Sequence, residues 1–326
     1  MERVGVTDQG AVERAYGEAL SGALAVLHPT PALVRAKGAS WRDLLQRMST
    51  NDLNGMQPGD VRPTVLTTAV AQIVDLVSVA AGEGEALLAA SHGRGRRVRE
   101  WLQRYIFFQD DVRLEEVAEG WVCWGVYGPR AEEEAGRIVP AEIGASGRAV
   151  SWAGGSAWRV SRPAGGGIFI LLTPDAAGEA TQLWGGGAEE AQRAYQVLRI
   201  EAGIPEIGSE ILDDSLPLEV GLKGAVSFTK GCYIGQEIIA RMDSRGRLAK
   251  ELLGVRAESV LAAEEDIRQG GRTVGHLTSA ALSPRYGAIA MASARPSALD
   301  EGEGSVEVGE RRAPGRLVPL PFDAGG

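Results

Sequence analysis

At 326 residues, with 44% hydrophobic and 24% charged side chains, the chain has globular composition and length enough for two or three domains. Its net charge of −9 works against unspecific attraction to phosphate backbones, so no direct nucleic-acid partner is expected. Two cysteines, Cys123 and Cys232, and three scattered histidines exclude a disulfide framework and a self-contained zinc site.

The first twenty residues carry acids where a secretory leader has a basic start. The longest apolar stretch, 65–81, is broken by Gln72 and Asp75 and is not expected to span a bilayer. A reducing, cytoplasmic setting without a membrane partner follows as the expectation. The 44 glycines favour a loop-rich, β-containing architecture over a helical bundle.

In chain order, residues up to about 21 read as a leading amphipathic helix and 32–35 as a short strand. In SWRDLLQRM, Ser40 is placed to cap a helix, Asp43 follows three residues on, and Leu44, Leu45 and Met48 form its apolar stripe. Residues 65–80 read as two strands meeting near Ala71 and Gln72. RGRRVREWLQRYIFF gives a basic helix with Val98, Leu102 and Ile106 on one face. Strands are expected at GWVCWGVYG, AWRVSRP and IFILLTP, with AEEEAGR a solvated loop or helix between. The helix of GAEEAQRAYQVLRIEAGIP has Glu189 and Glu190 in its first turn and is stopped by Gly203 and Pro205. From Leu252 onward the pattern is all β, with Gly270-Gly271 as a two-residue hairpin turn. The fold class is therefore α+β, ending in a small β-barrel.

Three side chains stand out chemically. Cys232 precedes a helix beginning near Gly235, with Lys230 and Arg241 close in sequence. A helix N-terminus and cations favour thiolate, but a small packed side chain is equally compatible with the local sequence. Cys123, in the apolar WVCWGV, reads as core. Glu201 ends its helix, where a carboxylate opposes the helix dipole. It is either exposed or reserved for a ligand rich in N–H donors, such as a pterin ring. Asp75 interrupts an apolar strand. It is either a buried acid with a raised pKa suited to proton transfer, or a side chain on a strand's wet face. The run HGRGRRVRE reads as a solvated face. No G-x-G-x-x-G or Walker loop is present, so a nucleotide site is not supported.

The stretch KGCYIGQEIIARM resembles the signature of the YgfZ-type folate-binding proteins, relatives of the glycine-cleavage T protein (aminomethyltransferase). The fixed positions are Lys230, Gly231, Cys232, Tyr233, Gly235, Gln236, Glu237 and Arg241. LRIEAGIPEIGSE, STNDL and VGHLTSAALSP are similar to further family segments. The resemblance implies a multi-domain fold around a central folate cavity. Its expected parts are an α+β folate-binding domain at 1–118 and 191–248, a second α+β domain at 119–190, and a β-barrel at 249–326. It implies tetrahydrofolate or a derivative as cofactor, with Glu201, Tyr233, Arg241 and Asp75 binding it. Cys232 would be a redox thiol or would share a cluster with a partner. The implied role is accessory to iron–sulfur cluster assembly or repair, with assembly or client proteins as partners, including tRNA-modifying enzymes. The alternative is a tetrahydrofolate-dependent aminomethyltransferase or demethylase. Against the aminomethyltransferase pattern GG-I-x-DD, this chain has AQIVDL, which keeps Asp75 and puts Leu76 at the second acid.

Overall fold

The structure, a computed structural model, describes residues 9–117, 119–246 and 248–322. Helix α1 (Gln9–Ser21) and strand β1 (Leu24–His28) come first. They are followed by β2 (Ala32–Lys37), α2 (Trp41–Met48), β3 (Val61–Thr67), β4 (Ile73–Ala81), β5 (Glu85–Ala90), α3 (Gly95–Gln103) and β6 (Arg113–Glu116). Next are β7 (Val122–Tyr127), α4 (Ala131–Ala135), β8 (Ala149–Trp152), β9 (Gly155–Val160), β10 (Gly167–Leu172), α5 (Ala177–Trp184), α6 (Glu189–Ala202) and α7 (Gln236–Arg245). The last part holds β11 (Glu251–Ala257), β12 (Asp266–Gln269), β13 (Arg272–Ser283), β14 (Gly287–Ala294), α8 (Ser297–Asp300), β15 (Ser305–Val308) and β16 (Ala313–Val318).

Three β systems result. The first is an antiparallel sheet in the order β3-β4-β5-β2-β6. The apolar stripe of α2 packs on it through Trp41, Leu44, Leu45 and Met48, and α3 adds Val98 and Leu102. The second sheet runs β1-β7-β10-β9-β8. Its outer face buries Trp124, Val126, Ile168 and Ile170 with Ala131 and Ala135 of α4 and Ala177 and Ala180 of α5. Its inner face meets the first sheet through Leu33, Val61, Cys123, Trp158 and Leu171. The third is a closed six-stranded barrel, β11-β14-β13-β12-β15-β16, filled by Val255, Ile267, Leu277 and several alanines. The expected α+β fold with a C-terminal barrel is what the chain forms.

Helix α6 joins these systems, packing against α1, β1, β13 and β14. Strand β1, inside the span expected for the first domain, pairs with β7 from Leu24↔Tyr127 to His28↔Cys123. The hairpin turn is as expected, with Gly270 and Gly271 both at positive φ, +57° and +78°. Two local expectations are corrected. Ser40 makes no side-chain cap to α2; its hydroxyl accepts the Asp111 amide at 3.0 Å, tying the helix start to the β6 approach. Helix α3 ends at Gln103, and Ile106 reaches the same core from the loop beyond. Strand β5 went unread because EALLAA is alanine-rich and lacks the β-branched side chains that mark a strand. Among the described residues, no helix is long and apolar enough to cross a membrane.

Candidate functional site

Helix α7 starts at Gln236 with Gly235 as its N-cap, as the sequence predicts. Gly235 sits at φ +81°, and a Cβ there would stand 2.7 Å from the Thr68 carbonyl oxygen. Only glycine lets the loop turn into α7 while touching the β3–β4 turn. Cys232 is exposed just ahead of this turn, and Gly231 beside it is exposed too. The two cations expected near the thiol have other partners. Arg241 donates to Glu237 at 2.6 Å on the exposed face of α7. The Lys230 ammonium turns inward to the Gln46, Ser49 and Asn51 carbonyls at 2.8, 2.8 and 2.7 Å. It lies 5.0 Å from the centre of the Tyr233 ring. Burial lowers the Lys230 pKa to about 8, against the pull of the Asp52 charge, and raises the Tyr233 phenol to about 12. Cys123, by contrast, is a core residue whose thiol burial pushes well up.

Asp75 is wholly buried, which settles its two readings for the interior. It follows Val74, which has no partner in β3 because the register of the two strands shifts there. Such bulges re-aim a side chain. Its carboxyl accepts the Ser91 amide at 2.9 Å and the Ser91 hydroxyl at 2.6 Å. Burial raises its pKa, while those two bonds and the Arg94 charge act the other way. Arg94 donates to the Val74 carbonyl at 3.1 Å and faces Asp213, which also pairs with Arg97 at 2.9 Å. The basic run expected to be a solvated face therefore has a structural part: it braces the strand that carries Asp75.

Glu201 occupies a third place, where α1, α6 and the barrel meet. Its two oxygens lie 3.1 Å from the Tyr16 hydroxyl, and the Ser283 hydroxyl donates to Oε1 at 2.5 Å. Burial and the Glu201 charge push the Tyr16 phenol strongly up. A cleft of about 650 Å³ opens beside this junction, lined in part by Val12, Glu13, Gln192, Gln196 and Ser283. Asp75, Glu201 and Cys232 thus sit at three separate junctions of the fold. Tyr233 lies under the Cys232 loop, and Arg241 lies on the outer face of α7.

Sequence reasoning missed two polar groups, one buried and one half-buried. Arg199, one turn beyond Tyr195 on the buried side of α6, donates to Glu210 at 2.8 Å and to Ser279 at 2.8 Å. An arginine four residues after an apolar-stripe residue was the available signal. His28 shares a 2.7 Å hydrogen bond with Tyr127, whose ring stacks on Tyr195. Burial brings the His28 pKa down to about 4.

Comparison with known proteins follows the same division. Residues 32–151 match the GCVT N-terminal domain, and residues 250–323 match the glycine cleavage T-protein C-terminal barrel domain. The chain is 29% identical over 305 residues to an aminomethyltransferase of Rubrobacter xylanophilus, covering 89% of this chain and 80% of that protein. It is 27% identical over 323 residues to an aminomethyltransferase of Geobacillus kaustophilus, covering 93% and 87%. The crystal structure of the glycine cleavage system aminomethyltransferase T from Bartonella henselae matches with a TM-score of 0.83. That match covers 95% of this chain and 89% of that one at 19% identity, a likeness of fold.

Proposed function

Taking as premise that this chain belongs to the glycine-cleavage T-protein superfamily, we propose that it binds a reduced folate and acts in one-carbon transfer of the aminomethyltransferase kind. Asp75 is the observation that carries this reading: a wholly buried carboxyl with a raised pKa, inside the segment matched by the N-terminal domain. A bound tetrahydrofolate would supply the nitrogens that accept and release the one-carbon unit. The donor set suits such a group, because a pterin edge offers adjacent N–H donors and a carboxylate has about four acceptor positions. Asp75, its pKa raised by burial, would take up and return a proton at those nitrogens, and Ser91 would fix the orientation of its carboxyl. Glu201, held by Tyr16 and Ser283, would read the pterin edge. The test is calorimetric titration with tetrahydrofolate, followed by assay for methylene-tetrahydrofolate release from an aminomethylated lipoyl carrier. Binding with turnover that Asp75→Asn abolishes is the expected result. Absence of binding to any reduced folate overturns it.

A second reading has its own observation, the exposed Cys232 thiol set out ahead of α7. In that reading the folate-binding protein serves iron–sulfur cluster assembly or repair in the cytoplasm, with a partner protein completing what one thiol begins. Cells carrying Cys232→Ala should then lose activity of cluster-dependent enzymes, such as tRNA-modifying ones, while aminomethyl transfer by the purified protein is unchanged. Equal rescue by wild type and Cys232→Ala removes this reading.

A further inference from the structure

The segment carrying Cys232 has no helix or strand between residues 226 and 235, yet it is bonded to α2 and the β3–β4 turn along its length. The Thr50 hydroxyl donates to the Ala225 carbonyl at 2.6 Å. The Ser227 amide donates to the Thr50 carbonyl at 2.9 Å, and the Ile234 amide to the Arg47 carbonyl at 3.0 Å. The Thr67 hydroxyl donates to the Ile234 carbonyl at 2.9 Å. Between these ties lies Lys230, 7% exposed, with its ammonium against three main-chain carbonyls.

The numbers match. Carbonyls at and just beyond the end of a helix lack intrahelical partners and carry the negative end of its dipole. An ammonium has three N–H bonds and no acceptor. Gln46, Ser49 and Asn51 use all three.

We propose that Lys230 is the positioning residue of the Cys232 segment: its caged ammonium locks residues 226–235 onto the end of α2 and so fixes where the thiol is presented. The purpose given to the lock rests on the second reading of Cys232; the lock itself does not. Two charged or titratable groups adjoin it. Asp52, on the chain beyond α2, favours the charged amine, and Tyr233 covers it from its own segment. With a pKa of about 8 the amine is charged at neutral pH.

The experiment is amide hydrogen exchange by NMR on the full chain at pH 7, without folate or partner. In Lys230→Met the Ser227 and Ile234 amides should open at least tenfold more often than in wild type, while Val255 in the barrel does not change. Lys230→Gln, which keeps two N–H donors, should fall between the two, and Cys232→Ala should keep the wild-type rates. Wild-type protection of both amides in Lys230→Met overturns the proposal. Opening shared equally by Val255, or faster opening in Cys232→Ala, also overturns it. If Lys230→Met does not fold, Lys230→Gln decides by the same rates, and exchange of the Ser227 and Ile234 amides at their intrinsic rate in wild type overturns the lock outright. Failure of either functional reading leaves these rates untouched, so the two outcomes are separable.

Discussion

Replacing Arg199 by methionine removes the guanidinium from a buried network and leaves its partner behind. Arg199 is 2% exposed, and the Glu210 side chain is fully covered. Glu210 also accepts the Glu206 amide at 3.0 Å and the Ser279 hydroxyl at 2.5 Å. Breaking a buried ion pair from one side costs about 3–5 kcal/mol, because the remaining charge stays desolvated. With about 2.1 cal/mol/K of unfolding entropy per residue, 326 residues give roughly 0.7 kcal/mol/K, so Tm should fall by about 4–7 °C. Thermal unfolding followed by circular dichroism measures this. Adding Glu210→Gln to Arg199→Met removes the stranded charge while keeping an acceptor for the Glu206 amide and giving Ser279 an N–H donor in place of the lost guanidinium. The double variant should recover at least about 2 kcal/mol. A single variant within about 1 kcal/mol of wild type, or a double variant no better than the single one, would refute the reasoning.

Asp75→Asn should keep both Ser91 contacts while removing a charge that burial penalises. Because the folded-state pKa is raised, the acid's favourable contribution is complete below its unfolded value and is lost as pH rises through the folded one. The variant should therefore melt higher than wild type at pH 7 and equal to it near pH 3; a gap that widens toward acid contradicts the burial account. His28 has the opposite sign. Its folded pKa of about 4 lies below the usual 6.5, so its contribution is present above pH 6.5 and is lost as pH falls toward 4, by about 3 kcal/mol. His28→Gln should flatten that acid limb in denaturant titrations, and an unchanged limb counts against it. Gly235→Ala places a Cβ at positive φ against the Thr68 carbonyl and should cost at least about 2 kcal/mol in guanidinium unfolding. A neutral result would mean the turn relaxes freely.

The barrel, the helices α2 and α6, and the turn into α7 were legible because period, stop residues and glycine placement act locally. The Cys232 segment was legible as a motif, but not as a geometry. Lys230 and Arg241 stand close to the thiol in sequence, yet one points back into α2 and the other pairs with Glu237 along α7. Side-chain direction depends on what packs from elsewhere, which spacing does not contain. Asp75 shows the same limit. Alternation along β4 left its two faces equivalent, and a register shift together with Ser91 from beyond β5 decided which was buried. Glu201 was singled out for its place on the helix dipole, while Tyr16 and Ser283, its hydroxyl partners, lie 185 and 82 residues away in sequence.

The pairing of β1 with β7 bears on how the chain is made. Strand β1 is synthesised well before its partners, which lie about a hundred positions downstream, at residues 123–127. Its neighbour α1 waits longer still, for α6 and Glu201. The first sheet, by contrast, draws all five of its strands from residues 32–116 and can close while the rest is still being translated. During that interval the apolar edge of LAVLH is uncovered, a segment open to wrong pairing with other nascent chains. The long-range closure of β1 and α1 is then a late, slow event in folding, set by loop length more than by the strength of the final contacts.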